Sequence, residues 1–358
     1  MNQPNKKVIT PKNVTSFING KWIEPDESAH QIPVIHPADE AEVSTLYEAN
    51  IEEVKLAAEA AKKTFESGAW SQASVEDRKA VLLRIKDLIL ENQEEIATLE
   101  VLNTGSPIAQ AFGRQIPRSA MNFEFFAEFI SQATSPVFDQ NPNYMTYVRR
   151  EPVGVAGLIA PWNAPMALAT MKIAGAIAFG NSCILKPSEL TPLGFVPFMN
   201  LLSRAGLPDG VINMVNGRGG ITGAAMTQNN DIDLIAFTGG TETGRVIGSE
   251  AGKTLKKTVT ELGGKSANII FSDADFDRAL DAAMVAIFSN NGQQCLAGSR
   301  ILVEKKVAKE FKDKFVQRVR NLRIGDPFDH KTEIGPLISK SQLERVLSFA
   351  EHAKNSSE

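Results

Sequence analysis

Val153-Gly154-Val155-Ala156-Gly157-Leu158-Ile159 is a short apolar run that ends in Ala160-Pro161-Trp162-Asn163-Ala164-Pro165. A helical stretch follows, and Ser182-Cys183-Ile184-Leu185-Lys186 is apolar again. Gly210–Val215, Leu234–Thr238 and Thr258–Leu262 repeat the pattern, with helical stretches between them. Parallel strands cannot be joined by a tight turn and need a crossover. The alternation therefore predicts an α/β fold, a parallel sheet built from βαβ units. The most apolar part, Pro165 to Leu185, carries Lys172, Asn181 and several glycines. A membrane crossing needs about 20 predominantly apolar residues, so this part reads as a buried helix plus a strand.

Upstream of this run the chain is mostly helical after an extended start. Ile51 to Phe65 sets Val54, Ala57, Ala58, Ala61 and Phe65 on one face. Val75 to Asn103 continues with Val81, Ile85, Leu88, Ile89, Ile96 and Leu99, read as one helix that Gly105 and Pro107 stop. Ser135 to Arg150 turns to Pro, Asn and aromatics and closes on a strand-like Met145–Arg150, which suits a boundary or an arm. Downstream, a second block starts near Gly263. It has a strand at Asn268–Phe271, a helix over Asp275–Asn290 and a strand at Ser299–Val303. A further helix carries Val307, Phe311, Phe315, Val319 and Leu322, and Gln342–Ala353 is an amphipathic helix. Lys354 to Glu358 follows with no strand behind it, so the block reads as incomplete.

A chain of 358 residues suggests two domains, and 43% hydrophobic with 22% charged residues is an ordinary globular composition. A net charge of −4 offers no basic face for nucleic acid. Met1 to Lys12 is polar and lacks the apolar core of a secretory signal. Two cysteines are too few for a disulfide framework and point to a reducing, cytoplasmic setting. His30, His36, His330 and His352 are scattered without ligand spacing, so no metal site is expected.

The two cysteines differ in setting. Cys183 lies inside an apolar strand, the usual place of an inert buried thiol. Cys295 sits in Asn291-Gly292-Gln293-Gln294-Cys295-Leu296-Ala297-Gly298, a glycine-flanked loop open to a substrate. It is either a nucleophile or a core cysteine in a connecting turn. Glu261 ends a strand before Leu262-Gly263-Gly264. A carboxylate desolvated there would have a raised pKa and could act as general base, and a plain surface Glu is the other reading. Asn163, between Pro161 and Pro165, can supply an oxyanion-hole amide or simply cap the following helix. Phe237-Thr238-Gly239-Gly240-Thr241-Glu242-Thr243-Gly244 follows a strand and opens a helix, where backbone can approach a phosphate. It is not the G-x-G-x-x-G dinucleotide fingerprint. Lys186-Pro187-Ser188-Glu189 ends another strand; Lys186 and Glu189 could both reach ribose hydroxyls, or the segment is a solvated turn.

Taken in order, PWN at 161–163, KPSE at 186–189, FTGGTETG at 237–244, ELGGK at 261–265 and GQQC at 292–295 resemble the aldehyde dehydrogenase superfamily. The resemblance extends from Ser16–Trp22 to Ile334–Ile338. It implies a Rossmann-type NAD-binding domain over 1–134 and 151–262, a bridging and oligomerisation arm at 135–150, and a catalytic domain over 263–358. It also implies that Cys295 attacks an aldehyde, that Asn163 holds the oxyanion, and that Glu261 is the base for thioester hydrolysis. Ile159, Pro161, Trp162, Lys186, Ser188, Glu189, Phe237, Thr238, Gly239, Gly240, Thr243, Leu262 and Gly263 are then the cofactor-binding positions. NAD is expected ahead of NADP, because the Glu189 carboxylate would repel a 2′-phosphate. The family's Glu-x-Phe-Gly-Pro motif and its late C-terminal strand are absent from these 358 residues. The resemblance thus implies a C-terminally truncated catalytic domain and a compromised dimer or tetramer. The flanks of Cys295, Phe288–Gly292 and Ala297–Arg300, resemble hydroxymuconate-type semialdehyde dehydrogenases of aromatic-acid breakdown. The alternative is a non-catalytic fragment, an NAD-binding relic of the family.

Overall fold

The computed structural model describes residues 8–356; the first seven residues of the polar N-terminal segment and the last two of the chain lie outside the described residues. The extended start forms β1 (Asn13–Val14), β2 (Phe17–Ile18), β3 (Lys21–Trp22), β4 (Gln31–Ile35) and β5 (Glu42–Tyr47). Helices α1 (Ile51–Glu66), α2 (Val75–Glu91), α3 (Gln93–Thr104), the short α4 (Ile108–Gln110) and α5 (Ile116–Ile130) follow. Asn50 and Ser74 start α1 and α2 by accepting from the Glu53 and Asp77 backbone N–H groups. The α1 stripe Val54, Ala57, Ala58 and Ala61 is buried as its spacing predicts.

Two expectations are corrected here. The single helix predicted over 75–103 is two, because the backbone leaves helical geometry at Asn92 (φ −110°, ψ 20°), whose side chain donates to the Leu88 carbonyl. The strand expected at Met145–Arg150 is also shorter. It is β7 (Tyr144–Tyr147), paired antiparallel with β6 (Val137–Asn141), a partner with no alternation because this ribbon is exposed along its length.

The remaining elements are β8 (Val155–Ile159), α6 (Pro165–Ala178), β9 (Ser182–Lys186), α7 (Phe195–Arg204), β10 (Ile212–Met214), α8 (Ala224–Gln228), β11 (Leu234–Gly239), α9 (Thr241–Gly252) and β12 (Lys257–Leu262). The main sheet runs β12-β11-β8-β9-β10-β2-β3. Its first five strands are parallel, and β2 joins antiparallel to β10. From β8 the chain winds through β9 and β10 to one side, then returns through β11 and β12 on the other. The winding therefore reverses between β8 and β11, the crevice where open α/β sheets bind ligands. The register aligns Ile159 with Lys186 and Phe237, and Gly239 with Leu262, so the predicted site segments leave one edge of the sheet together.

Both faces of the sheet are covered. Leu82, Ile85, Phe123, Ile173 and Phe198 pack on one side, and Ala57, Ala61, Ile184, Ile235 and Ile247 on the other. Beyond β12 come β13 (Ala267–Ile270), α10 (Phe276–Phe288), β14 (Arg300–Val303), α11 (Ala308–Arg320) and α12 (Lys340–Asn355). β13 and β14 are a parallel pair over a small core of Ile270, Leu280, Ala283 and Phe311. Phe311 is thus covered, and Phe315 stacks on it and on Phe288, so this helix face is not short of cover. Exposed apolar side chains of the block include Ile269, Phe271, Val285 and Leu302, and Leu343, Leu347 and Phe349 on α12.

Candidate active site

The loop that carries Cys295 leaves α10 through three consecutive left-handed residues, Asn290 (φ 55°), Asn291 (φ 56°) and Gly292 (φ 74°). These steps turn the chain sharply, and Cys295 emerges exposed while Cys183 is fully buried in β9. Burial pushes the Cys183 thiol far above its usual range and keeps it protonated, whereas thiol chemistry needs the thiolate. Of the two thiols, Cys295 alone is accessible.

Asn163 lies in the turn before α6. The capping alternative fails: α6 has Ala164 as N-cap with no side-chain bond, and Asn163 points elsewhere. Its Nδ2 donates to the Gln293 carbonyl at 2.8 Å, two residues before Cys295 and across 130 residues of chain. A carboxamide nitrogen carries two N–H groups, so one donor is left for a bound oxygen. The glutamate-bearing turn also reaches this loop: a Cβ placed on Gly264 would sit 3.4 Å from the Cys295 carbonyl oxygen. The structure therefore brings the PWN, ELGGK and GQQC segments together.

Glu261 is exposed at the end of β12, not desolvated as its sequence setting suggests. The reason is topological, because β12 is the edge of the sheet and pairs only with β11. Glu261 shares a cavity of about 310 Å³ with Val259, Leu158, Met171 and Lys172. Sequence reasoning passed over Lys172 as a site residue. Burial pushes its ammonium down to about 8, against the pull of the Glu261 charge. Its signal was a lone cation inside the apolar α6 pattern.

The cofactor candidates gather at the same edge. Ile159 is buried at the end of β8, with Pro161 and Trp162 half-buried just beyond. Lys186 is buried, and its Nζ donates to the carbonyls of Pro187 (2.9 Å) and Gly217 (2.7 Å) while lying 3.8 Å from Glu189. Two of its three donors are thus spent inside the protein, which leaves it less free than its sequence position suggests. Burial depresses its pKa and Glu189 opposes that. Ser188 is buried and Glu189 half-exposed. A neighbouring pair escaped sequence reasoning: Glu48 holds Arg218 with two carboxylate oxygens, at 3.0 Å to Nε and 2.6 Å to Nη2.

In the glycine-rich segment, Gly239 has to lack a side chain, since a Cβ there would overlap the Phe237 ring. A Cβ on Gly244 would press on Leu262 at 2.7 Å. Gly240 faces open space and caps the 12-residue α9, with Thr243 exposed in its first turn. Thr238 has a buried hydroxyl without a partner, and Gly263 is exposed on the turn after Leu262. A helix N-terminus, an open glycine and an orphaned hydroxyl beside the switch point suit a dinucleotide diphosphate.

Comparison with known proteins agrees with this fold. The aldehyde dehydrogenase family profile matches residues 22–358. Aldehyde dehydrogenase 1 of Tanacetum cinerariifolium is 42% identical over 340 residues, covering 94% of this chain and 68% of that protein. Human mitochondrial 10-formyltetrahydrofolate dehydrogenase is 38% identical, with 94% of this chain and 37% of that protein covered. The aldehyde dehydrogenase of Bacillus cereus in its NAD+ complex superimposes with a TM-score of 0.93 at 37% identity, over 96% of this chain and 70% of that one. The chain belongs to the aldehyde dehydrogenase family.

Proposed function

We propose that the protein is an NAD(P)-dependent aldehyde dehydrogenase in which Cys295 is the nucleophile, Asn163 the oxyanion donor and Glu261 the hydrolytic base. The observation that carries this reading is the bond from Asn163 to the Gln293 carbonyl, which ties an amide donor to the loop that carries the accessible thiol. The Cys295 thiolate adds to the aldehyde carbon, and the carbonyl electron pair moves to oxygen, where Asn163 Nδ2 and the Cys295 backbone N–H stabilise it. A dinucleotide held by Lys186, Glu189 and the Phe237–Gly240 segment would supply the hydride acceptor that turns this adduct into a thioester on Cys295. Glu261 then takes a proton from water, the hydroxide adds to the thioester carbon, and the thiolate departs with the carboxylic acid formed.

The cofactor cradle is Ile159, Pro161, Trp162, Lys186, Ser188, Glu189, Phe237–Gly240, Thr243, Leu262 and Gly263, with NAD preferred over NADP. Residues 1–134 and 151–262 form the cofactor domain, 263–358 the catalytic block and 135–150 the assembly arm, whose exposed Tyr144, Met145 and Tyr147 await a partner surface. The substrate class proposed from the flanks of Cys295 is a semialdehyde of aromatic-acid breakdown. Rapid mixing of the chain with NAD and such a semialdehyde tests the whole reading. One equivalent of NADH per Cys295 is expected, and none from Cys295→Ala with its NAD binding retained. An equal burst from that variant removes Cys295 as the nucleophile, and no burst from the parent chain refutes the reading and leaves an NAD-binding relic.

A further inference from the structure

Asn290 lies five residues before the nucleophile and is 5% exposed. Its backbone is left-handed (φ 55°, ψ 43°), a region that L residues with side chains rarely adopt and that persists only where the surroundings enforce it. Here they do so from three directions. The backbone N–H donates to Gln110 Oε1 at 2.9 Å. The side-chain Oδ1 accepts from Ser106 Oγ at 2.8 Å and Gln115 Nε2 at 2.9 Å. Nδ2 donates to the Asn163 carbonyl at 2.6 Å. A carbonyl can only accept, so this last contact also fixes which amide atom is nitrogen.

The bonds make a reciprocal clamp. Asn290 holds the backbone of Asn163, and the Asn163 side chain holds the backbone of Gln293. Asn291 anchors the same loop from its other side, donating to the Gly105 and Pro336 carbonyls and accepting from the Gly335 N–H. A loop that needed only its own polar groups satisfied would not spend a buried carboxamide on the carbonyl of a residue 127 positions away.

We propose that Asn290 is a positioning residue for the reaction, setting the distance between the Cys295 thiol and the Asn163 oxyanion donor. This rests on the roles proposed above for Cys295 and Asn163. Asparagine is the residue that meets all the demands. Glycine suits the left-handed backbone but makes no clamp, and aspartate has the shape but turns a second acceptor toward the Asn163 carbonyl.

The test compares Asn290→Asp, Asn290→Gly and Ser106→Ala with the parent chain. The readouts are single-turnover NADH formation, NAD affinity, aldehyde KM and amide hydrogen exchange. Misplacing a reacting group by roughly 1 Å costs about 100-fold in rate. Both Asn290 variants should therefore lose about that factor in the first-turnover rate constant, with NAD affinity and KM unchanged. Ser106→Ala removes one support and should lose a smaller factor. Exchange should quicken together in 160–166 and 290–298. A folded, NAD-binding Asn290 variant with the parent rate overturns the proposal. If both Asn290 variants fail to fold, a parent-like rate in Ser106→Ala overturns it instead. If the parent chain itself shows no burst, the function reading alone fails and exchange decides the clamp. Quickening confined to 290–298 in an Asn290 variant, or with both unfolded no joint quickening in Ser106→Ala, overturns it; joint quickening supports it.

Discussion

Replacing Glu100 by glutamine should make the protein more stable at alkaline pH and leave it nearly unchanged at pH 5. Glu100 sits between Leu99 and Val101 on α3 and is fully buried. Its Oε1 accepts from the Met166 N–H at 3.1 Å, which caps the start of α6, the helix directly after the Asn163 turn. Ala164 cannot cap this end and Pro165 brings no N–H, so the cap comes from a distant helix. The other carboxyl oxygen has no partner. Burial outweighs the single backbone bond and pushes the carboxyl up to about 8. Between pH 4.5 and about 8 the folded protein thus holds a proton that the unfolded chain has released. Stability contributed by this group is complete below that window and is lost as pH rises through it. A shift from 4.5 to about 8 caps the loss at roughly 5 kcal/mol. Glutamine keeps the acceptor for Met166 and cannot ionise. Lys172 has the opposite sign: its pKa falls from 10.5 to about 8, so stability rises with pH between those values. It is common to both proteins and cancels in the difference. Calorimetric melting of parent and Glu100→Gln at pH 5, 6.5, 8 and 9 reads the effect, with the gap widening in favour of the variant as pH rises. A gap independent of pH, or a variant less stable at pH 9, would refute the reasoning.

Three further outcomes follow from the site. Cys183→Ala should cost about 1–2 kcal/mol of stability and leave the NADH burst intact, read by denaturant melts beside rapid mixing; loss of its burst would reverse the assignment of the two thiols. Glu261→Gln should preserve the burst better than steady-state turnover, because the base acts after hydride transfer; a proportional fall in both would place Glu261 in thiol activation. Finally, kcat/KM should be higher with NAD than with NADP, and Glu189→Gln should narrow the ratio. Equal values in the parent would remove Glu189 as the selector.

The parallel strands were legible to within about two residues: Ser182–Lys186 falls on the observed strand, and Gly210–Val215 brackets Ile212–Met214. Apolar runs bounded by glycine and proline carry that information locally. The break at Asn92 was not legible, because Ile96 and Leu99 stay apolar and buried across it. The β6 strand was hidden for the reverse reason, as a ribbon exposed on both faces has no pattern to read. Glu100, between Leu99 and Val101, was visible only as one charge in an apolar run.

Sequence alone determined the order of the parallel strands and the helices between them and placed Asn163, Glu261 and Cys295 at or just beyond element ends. These depend on propensity, capping and periodicity, which act over a few residues. Which of them meet was decided by tertiary structure. The Asn163–Gln293 bond closes 130 residues of chain, and Asn290 reaches Ser106 across 184. Ordering loops of that length costs entropy that only packing of the whole sheet and its helices can offset. The same packing put Glu261 on an exposed edge and left Lys172 half-buried opposite it, a difference in environment that residue type does not encode.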